Sequence, residues 1–158
     1  MKKLFYILLS LSFSLLSCEP EWQEPYKLYQ IKGGTHGPKI PKISSLQSET
    51  LMFSAIFDES AIYQTALEEN QADINKLMGF ADCNSKHHEN SARFGWRWYE
   101  GQLEIHAYCY VNGERVNTII GTVPLHEKID YLIHVSDSQY VFQLGNEEPV
   151  IITRGNVC

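Results

Sequence analysis

The sequence predicts an all-β protein, an antiparallel two-sheet β-sandwich with one or two short helices confined to a connection. Three observations predict it. From Ala92 onward, apolar and polar residues alternate with a period of two over successive short runs. Turn residues part these runs at even spacing, and Asn112-Gly113 is the strongest of them, because both residues tolerate the positive φ that a type I′ hairpin turn requires. Internal repeats and low-complexity tracts are absent, which excludes solenoids and fibres.

The first element is not part of the sandwich. Met1-Lys2-Lys3 is a short positive end, and Leu4 to Leu16 is an apolar run of 13 residues broken only by serines. That is the build of a secretory signal. It is too short for a spanning helix, which needs about 20 apolar residues. Leu15-Leu16-Ser17-Cys18 resembles the lipobox of bacterial lipoproteins. The resemblance implies cleavage after Ser17, a lipid thioether and an acylated amine on Cys18, and a membrane anchor made stable by more than one acyl chain. Residues 1–17 are thus expected to be the signal peptide and 18–30 a tether. Glu19-Pro20-Glu21-Trp22-Gln23-Glu24-Pro25 has acids and prolines but little to pack. Its acidic start is similar to surface-export tethers of Bacteroidetes lipoproteins, and no aspartate follows Cys18 directly. Both features imply an outer-membrane site, with either leaflet open.

Residues 31–158 are expected to form one domain. Of the 158 residues, 141 remain once the first 17 are removed, enough for one core. The chain carries 13 basic and 19 acidic residues, and loss of Lys2 and Lys3 brings the mature net charge near −8. Nucleic acid is therefore not an expected partner, since phosphate neutralisation needs clustered Lys and Arg. Besides Cys18 there are Cys83, Cys109 and Cys158, so one bridge and one spare thiol are expected, with three pairings open. The spacings fit neither a zinc ribbon nor a redox Cys-x-x-Cys, and no cofactor is expected.

Within the domain, residues 33–48 are rich in Gly, Pro and Ser and read as loop. Leu51 to Phe57 reads as a buried strand ended by Asp58-Glu59-Ser60. From Ala61 to Met78 the pattern is mixed, and Ile62, Leu67, Ile74, Leu77 and Met78 are expected to face the core from at most two helical turns. In the next run Phe94, Trp96 and Trp98 share one side and Arg93, Arg97 and Tyr99 the other. Glu100-Gly101 turns the chain into a run in which Leu103, Ile105, Ala107, Cys109 and Val111 oppose Glu104, His106, Tyr108 and Tyr110. Arg115 to Val123, Asp130 to Ser136, Gln139 to Leu144 and Pro149 to Thr153 follow, with Tyr131, Ile133, Val135, Tyr140 and Phe142 inward. Only Arg154 to Cys158 follow the last of these runs, so either an uncovered sheet edge or a sequence cut short relative to its relatives is expected.

The layout from Ala92 to Arg154 resembles the concanavalin A-like lectin and glucanase jelly rolls. The likeness rests on Gly101-Gln102-Leu103-Glu104-Ile105, Tyr131-Leu132-Ile133-His134-Val135 and Tyr140-Val141-Phe142-Gln143-Leu144-Gly145. It implies a carbohydrate-binding sandwich. The Glu-x-Asp-x-x-Glu strand of the glucanases is missing, and Glu100 and Glu104, the nearest carboxylates, are parted by a turn, so no catalysis is expected. No serine sits in a nucleophile elbow and no phosphate-binding glycine loop occurs.

If the hairpin register holds, Arg93, Arg97, Tyr99, His106, Tyr108 and Tyr110 form one polar aromatic face suited to a glycan. An envelope protein covering the same face is the alternative partner. Trp96 and Trp98 read as core. The segment from Asp82 to Ser91 brings His87 and His88 beside this face, as hydrogen-bond partners for a sugar, as metal ligands, or as plain solvated loop. A calcium loop fails at Lys86 and at Arg93, which stand where an amide or acid and a glutamate belong, so no metal site is expected.

Overall fold

The computed structural model describes residues 26–32 and 44–155. The expected signal peptide, Cys18 and Cys158 lie outside them. Two compact units span residues 1–40 and 41–158. In the first, residues 26–32 are exposed and carry no helix or strand.

The second unit holds eight strands: β1 Thr50–Ala55, β2 Asn75–Ala81, β3 Ser91–Tyr99, β4 Gln102–Val111, β5 Glu114–Thr122, β6 Ile129–Val135, β7 Gln139–Leu144 and β8 Val150–Thr153. They form two antiparallel four-stranded sheets, ordered β1-β6-β7-β8 and β2-β3-β4-β5. The expected two-sheet sandwich is therefore present. Neighbours in sequence are neighbours in a sheet except where β1 passes to β2 and β5 to β6.

The hairpins follow from their turns. Asn112 and Gly113 have φ of 52° and 85°, the left-handed pair that this dipeptide adopts at low cost, and β4 and β5 pair from Val111↔Glu114 onward. Glu100 and Gly101 adopt the same handedness between β3 and β4, which pair through Tyr99↔Gln102 to Ser91↔Tyr110. Alternation then decides what is buried. Ala92 and Phe94 of β3 and Leu103, Ile105, Ala107 and Cys109 of β4 meet Tyr131, Ile133, Tyr140, Phe142 and Leu144 of the other sheet in one core. Phe94 stands at its centre, with its ring edge-on to Phe53, Tyr131 and Phe142 at 5.9, 5.0 and 5.2 Å. Complete burial of one such side chain contributes about 1.5–3 kcal/mol. Trp96 faces inward but is only partly buried, against Phe57 and Tyr63.

Three local expectations change. The first strand is not wholly buried: Leu51 and Phe53 pack on the core, whereas Met52 points outward and is 69% exposed. The connection after it holds single 3₁₀ turns at Glu59–Ala61 and Glu68–Asn70, but Asn75–Ala81 is a strand instead of a helical turn. A register shift between Lys76 and Gly79 interrupts its alternation, so that Leu77 and Phe80 both pack on the core three residues apart, a spacing that mimics a helix. Ile74, expected in the core, lies on the opposite side. Gly95 points outward, and Ile74 Cγ2 stands 2.4 Å from where a Cβ on Gly95 would be, so only glycine lets the two segments approach.

Among the described residues β8 pairs with β7 alone, and β1, β2 and β5 each have one strand neighbour. Loop and sheet are joined by a partly buried ion pair. Arg154 Nε and Nη2 donate to Asp82 Oδ2 and Oδ1 at 2.6 and 2.9 Å, Tyr140 Oη donates to Asp82 Oδ2 at 2.7 Å, and Arg154 Nη1 donates to the Ser136 carbonyl at 2.9 Å. Burial works to raise the Asp82 pKa, and the bonds from Arg154 and Tyr140 with the Arg154 charge outweigh it, holding the carboxyl below its ordinary value.

Candidate functional site

The register sets the site. Opposite the core, the β2–β5 sheet presents rows across β3 and β4: Ser91↔Tyr110, Arg93↔Tyr108, Gly95↔His106 and Arg97↔Glu104. Arg93, Arg97, Tyr99, His106, Tyr108 and Tyr110 therefore share one face, at the positions alternation assigns. Lys76 joins them from β2, opposite Gly95, and Arg115 from β5, opposite Tyr110. Neither was legible as part of the face. Lys76 was hidden because the bulged strand that carries it does not alternate.

The face has two ends. At one, Arg97 Nε donates to Glu104 Oε2 at 2.6 Å, Arg97 Nη1 donates to the Ala72 carbonyl at 2.6 Å, and the guanidinium stacks on Tyr99 with Cζ 4.3 Å from the ring centre. His106 Nε2 lies 3.1 Å from the same Glu104 oxygen. His106 is 4% exposed, and burial lowers its pKa; the bond to Glu104 opposes that shift, the Arg97 charge reinforces it, and the net direction is downward. The neutral ring then donates from Nε2, which leaves Nδ1 as an acceptor, buried and without a partner.

At the other end, Tyr108 and Tyr110 meet edge-on at 6.0 Å, the His88 ring lies 5.0 Å from Tyr110, and His87 lies 4.0 Å from His88. Lys76 Nζ sits 5.8 Å from the centre of the Tyr108 ring. Tyr108 is 6% exposed, so its ring is packing for its neighbours and not a free stacking surface. Tyr110 and Tyr99 keep accessible area. Burial also lowers the pKa of His87, helped by the charges of its neighbours. Arg93 is partly withdrawn from water, which lowers the pKa of its guanidinium, and its Nε is buried with no hydrogen-bond partner.

Cys109 lies on the core side of β4, fully buried and free, and burial pushes its thiol up to about 12, where it is inert. Cys83 is disulfide-bonded, to a partner outside the described residues. Among the described residues no group of three or more His, Cys, Asp or Glu gathers as a metal site. A groove of about 400 Å³ is lined by Trp98, Leu103, Val123 and Leu125. Among the described residues no helix is long and apolar enough to cross a membrane.

No family model, curated protein or solved structure matches the chain.

Proposed function

We propose that this chain is a lipid-anchored envelope protein, held in the outer membrane through Cys18, whose sandwich binds glycan on the outer face of β2–β5 without acting on it. The observation that carries the reading is that face itself, where Arg93, Tyr110, Tyr99 and His88 surround buried His106 and Tyr108. Partly exposed tyrosines offer flat apolar area with a polar rim, and arginine supplies directed donors, a combination that suits sugar rings and their hydroxyls. Disulfide bonding of Cys83 fits an oxidising compartment beyond the cytoplasm. Arg97 acts in this reading as a positioning group, since it already serves Glu104 and Ala72.

The test is calorimetry of the full chain in non-ionic detergent against a panel of polysaccharides. Saturable binding is expected, weakened about tenfold by Tyr110→Ala, the size of a lost aromatic contact. An unaltered affinity in that variant would remove the site from this face. A second reading, a protein-binding module of an envelope complex, is favoured by the outer face of the other sheet, where Met52 and Ile151 are 69% and 59% exposed. Failure of every polysaccharide together with recovery of a stoichiometric protein partner would select it.

A further inference from the structure

The charges on the face narrow the kind of glycan. Its strand positions carry four cations, Lys76, Arg93, Arg97 and Arg115, against one carboxylate, Glu104. That is the reverse of the whole chain, with its 19 acids and 13 bases. Glu104 is already engaged by Arg97 and His106. Among the described residues, none of the ion pairs reaches Lys76, Arg93 or Arg115. Lys76 and Arg115 are exposed, and water can solvate them. Arg93 differs, because its Nε has neither solvent nor acceptor. A guanidinium partly removed from water without a counter-charge is costly to hold, and an incoming anion would relieve that cost.

Resting on the glycan-binding reading above, we propose that the corner around Arg93 takes an acidic polysaccharide, its carboxylate or sulfate group pairing with the Arg93 guanidinium between Lys76 and Arg115. The register sets the spacing. Arg93 stands beside Tyr108, the Lys76 ammonium lies over that same ring, and Arg115 faces Tyr110 on the next row. The anion thus meets three cations from three different strands, while Tyr110 and His88 border the sugar that bears it. A carboxylate or a sulfate offers the paired oxygens that a guanidinium engages in two parallel bonds. A nucleic acid fits less well, because a regular phosphate track asks for a longer basic stripe and the rest of this chain is acidic.

The experiment compares polygalacturonate, dextran sulfate and neutral dextran on the full chain in non-ionic detergent, at low and high sodium chloride, for the parent and for Arg93→Gln and Lys76→Gln. The acidic polymers are expected to bind at least about tenfold tighter than dextran, with salt eroding the difference. Arg93→Gln should lose about tenfold or more, the scale of a charge-assisted hydrogen bond, without lowering the melting temperature. The polymer that binds tighter tells carboxylate from sulfate. Lys76→Gln alters an exposed side chain and must weaken the acidic polymers with the fold intact. Equal binding of dextran, with both variants like the parent, overturns the acidic proposal and leaves the glycan reading standing. Failure of all three polymers to bind removes both. An Arg93→Gln chain that unfolds, paired with a Lys76→Gln chain that binds as the parent does, makes Arg93 structural and also overturns the proposal.

Discussion

Arg154 and Arg93 are the same chemical group in opposite circumstances. Arg154 is 12% exposed and answers a carboxylate through two bonds, with a carbonyl for a third donor. Arg93 lies on the outer face of β3 with its Nε buried and unanswered, and no carboxylate among the described residues pairs with it. Natural folds satisfy nearly all buried donors, so the two arginines differ in what they are for. The first ties the loop after β2 to the end of β8. The second makes no ion pair among the described residues, and its surroundings suit a charge that arrives from outside.

Stability measurements break this contrast most directly. Asp82→Ala should cost about 1.5–3 kcal/mol in urea unfolding, because it removes the charge-assisted bonds that Arg154 and Tyr140 donate to the carboxylate. Arg93→Gln should cost less than about 0.5 kcal/mol, or stabilise, since it removes a charge that no partner offsets. Equal losses in the two variants would mean that both arginines are structural.

A smaller effect sharpens the comparison through His106, which shares the outer face. Its pKa is lowered on folding by burial, so the neutral ring is the form that the fold accepts. The unfolded histidine titrates near 6.5. Below that pH the unfolded chain binds a proton that the folded chain resists, so stability is fully present above about 6.5 and falls as pH drops through that value toward the folded pKa. His87 shifts in the same direction, which is why the parent is compared with His106→Gln and not with theory alone. Urea unfolding at pH 7.5 and 5.5 should show a larger loss in the parent than in the variant. Identical losses would mean that the ring is solvated.

Much of the fold was legible because alternation reports directly on which side of a sheet a residue takes. β3, β4, β6 and β7 are strands whose inward residues, among them Phe94, Ile105, Tyr131 and Phe142, are those that period two selects. β2 was not legible, since its register shift puts Leu77 and Phe80 on one side at helical spacing. Lys76 was lost to the site for that reason. Side was legible where depth was not: the pattern puts His106 and Tyr108 outward, yet they are buried, in a neighbourhood where Ile74 overlies Gly95 and Lys76 overlies Tyr108. Asp82 and Arg154 are 72 residues apart, and no local pattern announces a pair closed only by the fold.

The central claim is that binding uses the outer face of β2–β5 and not the outer face of the opposite sheet. Oxidative footprinting of the full chain, read residue by residue by mass spectrometry with and without saturating polygalacturonate, compares the two faces in one sample. Tyr110 and His88 should be protected several-fold by the polymer, whereas Met52, 69% exposed on β1, should oxidise at an unchanged rate. Protection of Met52 with no change at Tyr110 and His88 would contradict the account and move the binding surface to the other sheet.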